Sequence, residues 1–149
     1  DNGKTYGLTG AQPWENLDET TRTLMGTGIY ECHANITEVD LKDGNSWTID
    51  LGDVRESARV YVNDSLVGCA WAVPYRLDFS GLLHKGDNII RIEVTNLPAN
   101  RISQIDREGV QWRKFEEINI VDLHYKRTTY EGWDPVPSGL NSAIKLLKR

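Results

Sequence analysis

The sequence predicts an all-β sandwich, and three observations carry that expectation. Apolar residues recur at every second position in four separate stretches, polar turn sequences stand between them, and helical periodicity is scarce. The chain has 149 residues, of which 39% are hydrophobic and 26% charged. At that size a single domain removes roughly 70% of its unfolded surface from water, so no metal or disulfide is needed to make a core. The same composition excludes a disordered or collagen-like chain.

In chain order, Tyr30, Cys32, Ala34 and Ile36 alternate with Glu31, His33 and Asn35, which reads as a strand with one face buried. Lys42-Asp43-Gly44-Asn45 supplies turn chemistry, and Trp47, Ile49 and Leu51 then alternate with Thr48 and Asp50. Ala58, Val60 and Val62 alternate with Arg59 and Tyr61 before a turn at Asn63-Asp64-Ser65. After the turn-rich residues 84–88, Ile90, Ile92 and Val94 alternate with Arg91, Glu93 and Thr95. Residues 98–107 are the best helix, with Pro98 suited to a first turn, Ile102 and Ile105 on one face, and Gly109 as a stop. Residues 118–126 carry a mixed apolar run (Ile118, Ile120, Val121, Leu123, Tyr125) that suits a strand covered on both faces. The tail, 142–149, reads equally as a last strand or a short basic helix. No repeat or linker interrupts the pattern, so one domain is expected over 1–149.

Charge narrows the partners. Seventeen Lys plus Arg stand against 22 Asp plus Glu, a formal charge of −5. Nucleic acid and anionic membrane surfaces call for a net basic face, so neither is expected as a partner. No apolar run approaches the roughly 20 residues that cross a bilayer, and Asp1-Asn2-Gly3-Lys4 lacks a basic or apolar leader. A soluble chain without a targeting segment is therefore expected. Met25 is the only methionine, so the chain is also expected to be cut from a longer protein. Cys32 and Cys69 are too few for a disulfide framework and too far apart for a zinc knuckle or a redox pair. They read as one disulfide or two buried thiols rather than a nucleophile.

Five tryptophans and six tyrosines make the polar segments aromatic, and a flat ring beside a few fixed polar groups is how a protein holds a sugar. Trp47 and Tyr61 keep strand phase and belong to packing. Trp71, Tyr75, Trp112 and Trp133 stand beside Pro, Gly or Arg without strand period, which suits a ligand contact or a loop anchor equally. Residues 100–115 gather Asn100, Arg101, Asp106, Arg107, Glu108, Trp112 and Arg113. Arginine grips carboxylates or vicinal hydroxyls through its planar fork, and aspartate accepts from paired hydroxyls. Internal salt bridging of an irregular loop is the competing reading.

Motifs of catalysis are mostly missing: there is no GxSxG, HExxH, phosphate loop or zinc spacing, and His33, His84 and His124 lack neighbouring ligands. Carboxylate pairs for glycoside hydrolysis are set in space, so Asp106 or Glu108 with Glu116 or Glu117 stay open as a small free-standing enzyme. Asn35-Ile36-Thr37 and Asn63-Asp64-Ser65 match the glycan sequon.

One long string is more specific. Residues 47–63, then Val67-Gly68, Trp71, Pro74-Tyr75-Arg76-Leu77-Asp78, residues 86–97 and Asn100-Arg101 together resemble the galactose-binding-domain-like jelly-roll sandwich attached to glycoside hydrolases. The likeness covers about two thirds of the chain and is strongest to family 2 enzymes (β-galactosidases, β-glucuronidases) and family 106 α-L-rhamnosidases of polysaccharide-degrading bacteria. Trp133-Asp134-Pro135 and Ser138-Gly139-Leu140 also resemble the rhamnosidase group. The resemblance implies a non-catalytic module beside a separate catalytic barrel, periplasmic or secreted. It further implies a plant or algal polysaccharide as partner, with terminal rhamnose, galactose or a uronic acid as ligand. It places Trp71, Tyr75 and Arg76 on a loop that can reach the neighbouring pocket. No acidic residue lies in that loop, so a metal-assisted contact does not carry over. No cofactor is expected. Related jelly rolls often hold a structural calcium, for which the only candidate is Asp40 with Asp43-Gly44-Asn45, a stretch that a plain turn explains better. The alternative role is purely structural, buttressing the barrel without binding glycan.

Overall fold

The computed structural model describes residues 3–42, 44–114 and 123–149. Each of the four alternating stretches is a strand. β1 (Thr27–Ile36), β2 (Ser46–Asp50), β4 (Ser57–Val62) and β7 (Gly86–Thr95) bury their apolar positions in period two. Shorter strands join them: β3 (Val54–Arg55), β5 (Ser65–Ala70), β6 (Arg76–Ser80), β8 (Gly139–Leu140) and β9 (Lys145–Lys148).

All pairings are antiparallel. One sheet has the order β1-β7-β4-β5, a second β6-β2-β9, and β3 with β8 forms a two-stranded patch. Because the chain repeatedly changes sheet between successive strands, the inner faces close over a common core. Ala58, Val60, Val62, Ile90, Ile92 and Val94 come from the first sheet and Trp47, Ile49 and Phe79 from the second. Most of these side chains are fully buried, each contributing roughly 1.5–3 kcal/mol of apolar transfer. The all-β sandwich expected from the sequence is the fold observed.

Turn chemistry sets the β4–β5 register. Asn63 and Asp64 both have positive φ, at 47° and 63°, the geometry of a two-residue hairpin turn whose twist matches its strands. Asn63 also donates through Nδ2 to the Leu82 carbonyl and to Oδ1 of the fully buried Asn88, both at 2.8 Å. A buried amide is tolerable only when satisfied, and Asn88 Nδ2 in turn donates to the carbonyls of His84 and Gly86.

Among the described residues, helical structure comprises α1 (Glu19–Arg22), α2 (Glu38–Leu41), α3 (Ala99–Arg107) and a 3-10 turn at Trp14–Asn16. This is more than the one or two short turns expected. Capping boxes at Asp18 and Thr37 start α1 and α2, a signal that four-residue helices leave without apolar periodicity. α3 matches the expected 98–107 helix.

Of three other expectations, the first is resolved between its two alternatives and the other two change. The tail is a strand: β9 pairs with β2, Leu146 opposite Ile49. Residues 118–122 lie outside the described residues, while Leu123 to Lys126 form no strand and Leu123 is fully exposed. The cysteines are unpaired. Cys32 lies on the inner face of β1 and Cys69 on β5, with β7 and β4 between them. Three strand spacings of about 4.8 Å give roughly 14 Å, twice what a disulfide spans. Cys69 is exposed rather than buried, since it pairs with outward-facing Arg59.

Candidate functional site

Two groups of expected site residues occupy the same end of the sandwich. Ala70, at the end of β5, pairs with Ala58, which pairs with Val94 near the end of β7. The loop after β5 and the helix after β7 therefore leave the first sheet at one end. They lie toward opposite edges of it, because Asn96 ties the α3 side to residues leading into β1. Its Nδ2 donates to the Leu24 carbonyl at 2.8 Å and its Oδ1 accepts from Gly26 N at 3.0 Å.

In the loop, Trp71 is 77% exposed and Val73 is 80% exposed. Tyr75 packs against the core and its carbonyl accepts from Leu51 N at 2.9 Å, so it anchors the loop. Arg76 holds Asp50 at 2.8 Å across β6 and β2. Trp71 alone of the three expected contacts presents an uncommitted apolar surface.

α3 organises the second group by fastening residues 128–136. Asn100 is buried and makes a reciprocal amide pair with Val136, accepting from its N at 2.7 Å and donating to its carbonyl at 2.8 Å. Asp106 accepts from Trp112 Nε1 at 2.5 Å and from Tyr130 N at 2.8 Å. These two bonds, in that order of weight, hold its carboxyl below the ordinary carboxylate range. Arg107 donates through Nε to the Glu131 carbonyl and through Nη2 to the Trp133 carbonyl, each at 2.8 Å. Arg113 Nη2 donates to Thr128 O at 2.7 Å. The internal bridging weighed for this stretch is thus the first job of Asn100, Asp106, Arg107 and Arg113. Arg101 points from the exposed face of α3.

The bridging assembles an aromatic surface. Tyr130 lies 4.5 Å from Trp133 and 6.4 Å from Trp112, centroid to centroid, and the Arg113 guanidinium sits 5.0 Å from Tyr130 and 5.1 Å from Trp112. Cation–π contact at that range holds the rings without covering both faces. Trp112 remains 36% and Trp133 46% exposed. Such an array offers flat apolar faces beside guanidinium and carboxylate groups, which can stack on a sugar ring and bond its hydroxyls. Tyr130 carries no sequence signal: it follows Trp112 by 18 residues and meets it through the fold, by the shared Asp106 bonds and the Arg113 guanidinium.

Of the carboxylates considered for hydrolysis, Asp106 is committed to Trp112 and Tyr130, and Glu108 accepts from Gln104 at 2.8 Å. Glu116 and Glu117 lie outside the described residues. The calcium candidate also has other duties. Asp40 caps α2 by accepting from Thr37 N at 2.8 Å, and Asn45 bonds Leu83 O and Trp47 Nε1, while Asp43 lies outside the described residues.

Comparison with known proteins bears on the family and the fold. The family model for the glycosyl hydrolase 2 galactose-binding domain-like group matches residues 13–144. A curated protein of Formosa agariphila, provisionally assigned as a beta-glucuronidase, is 28% identical over 150 residues, covering 89% of this chain and 13% of its own length. Among solved structures, a rhamnosidase from Novosphingobium sp. PP1Y is 30% identical with a TM-score of 0.70, covering 93% of this chain and 12% of that one. A beta-D-glucuronidase of Dictyoglomus thermophilum is 25% identical with a TM-score of 0.53, covering 64% of this chain and 17% of that one. The chain thus spans about an eighth of the length of the first two relatives.

Proposed function

Because the chain belongs to the glycosyl hydrolase 2 galactose-binding domain-like family, we propose that it serves as a non-catalytic, glycan-binding accessory domain of a larger glycoside hydrolase. The carrying observation is the aromatic surface of Trp112, Tyr130 and Trp133, held half-open by Asp106 and Arg113. A core-packing role would bury these rings as Trp14 and Trp47 are buried, at 4% and 5% exposure. The ligand is a terminal sugar of a plant or algal polysaccharide, rhamnose, galactose or a uronic acid. A polymer of that kind is met outside the cell membrane, which suits a periplasmic or secreted parent. Binding is weak, because an open surface buries few ligand atoms.

A second role rests on a separate observation. Trp71 and Val73 expose adjacent apolar surface at the tip of one loop, which suits contact with the catalytic domain of the parent enzyme. The two roles are compatible, since the loop and the aromatic surface occupy different edges of the same end.

A glycan array followed by titration of each hit tests the proposal. Saturable binding to wild type that Trp112→Ala weakens at least tenfold is expected. Silence across the array, or binding indifferent to Trp112→Ala, refutes glycan recognition by this surface and leaves the buttressing role.

A further inference from the structure

Beside the aromatic surface, α3, the end of α1 and residues 133–135 flank a crevice lined by Arg22, Thr23, Asn100, Ser103, Arg107, Trp133 and Pro135. No acidic residue is among them, although the chain carries a formal charge of −5. The Ser103 hydroxyl is buried and has no hydrogen-bond partner among the described residues. A helical serine so placed ordinarily bonds the carbonyl four residues back, and a buried orphan hydroxyl calls for a missing partner. The Arg22 N–H donates to the Asp18 carbonyl at 3.2 Å in the turn of α1, while its guanidinium makes no hydrogen bond or ion pair with any described residue. Arg107 spends Nε and Nη2 on carbonyls and leaves Nη1 without a partner among the described residues. The crevice is half-open, with a volume of about 10 Å³, room for about one oxygen-sized group, and the half-exposed Trp133 ring is part of its lining.

Two arginines and a tryptophan line this oxygen-sized space, with a serine behind them whose hydroxyl is buried, a set complementary to an oxyanion attached to a ring. We propose that this crevice binds the anionic substituent of an acidic glycan, the carboxylate of a uronic acid or a sulfate ester, with the sugar ring against Trp133. This deepens, and rests on, the reading of the neighbouring surface as glycan-binding. One oxygen enters this space near Ser103, and the charge is met by Arg22 and Arg107. Trp112 and Tyr130 would hold the sugars that follow.

Calorimetric titration with galacturonate and galactose 6-sulfate, each against neutral galactose, tests this inference in wild type, Arg22→Ala and Lys145→Ala. The Arg22 side chain has no hydrogen-bond or ion-pair partner to lose among the described residues, and Lys145→Ala removes the same charge from the second sheet. At least one acid should bind tenfold more tightly than galactose, and that preference should fall with salt and with Arg22→Ala while surviving Lys145→Ala. Preference for galacturonate identifies a carboxylate site; preference for the sulfate ester identifies a sulfate site. Equal binding of all three sugars overturns the anion site and leaves glycan binding standing. Equal loss in the two variants likewise overturns it, showing net charge rather than a site. Binding of none of the three overturns both readings.

Discussion

Gly139 shows how one residue fixes the base of the site. Its φ is +88°, and a Cβ there would collide with the Trp14 indole and the Tyr30 hydroxyl. That hydroxyl accepts from Trp14 Nε1 at 2.6 Å and from Leu140 N at 3.0 Å, and its burial raises the Tyr30 pKa. Gly139 therefore lets β8 approach closely enough to tie residues 136–140 to the N-terminal segment. Gly139→Ala combines left-handed strain with overpacking and should destabilise the fold by about 3 kcal/mol. Urea denaturation measures it, and a loss below about 1 kcal/mol would contradict this account of the contact.

At the scale of elements, α3 and residues 128–136 act as a unit whose acid sensitivity can be derived. The folded Asp106 carboxyl titrates below its ordinary value of 3.8, chiefly through the Trp112 bond and then the Tyr130 amide. A group with a lowered folded pKa stabilises fully above its unfolded pKa, and that contribution is lost as pH falls toward the folded one. Attachment of Trp112 to α3 should therefore weaken below about pH 4 and be unaffected at neutral pH. Tryptophan fluorescence should show an acid step that Asp106→Asn removes; an identical step in both proteins would exclude Asp106 as its source. His33 has the opposite sign. Its bond to Asp87, at 2.8 Å, raises its pKa, so that contribution is present at low pH and fades as pH rises through the folded value.

For the molecule as a whole, what could be read from the sequence follows from what burial imprints on it. The long strands were legible because one face meets the core, leaving Ile90, Ile92 and Val94 in strict alternation. β5 was not, because only Ala70 of its six residues is buried, and two-residue β3 and β8 are too short to show a period. β9 was ambiguous because it is an edge strand exposing both lysines. The site was legible in part. Trp112, Arg113 and Asp106 are neighbours in sequence, whereas Tyr130, Ser103 and Arg22 join them only through the fold. Sequence chemistry offered internal bridging and ligand binding as competing readings of this stretch, and only the fold shows that Asn100, Asp106 and Arg107 bond to residues 130–136 of the same chain.

The central claim is that the aromatic surface at the end of α3 meets a glycan. The five indole N–H resonances report on it separately, since Trp14 and Trp47 are buried, Trp71 caps the loop, and Trp112 and Trp133 flank Tyr130. Titrating the protein with acidic and neutral oligosaccharides while following those five signals is the most direct measurement. The account predicts saturable shifts of Trp112 and Trp133 with Trp14 and Trp47 unmoved. Shifts confined to Trp71, or none at all with any glycan, would contradict it.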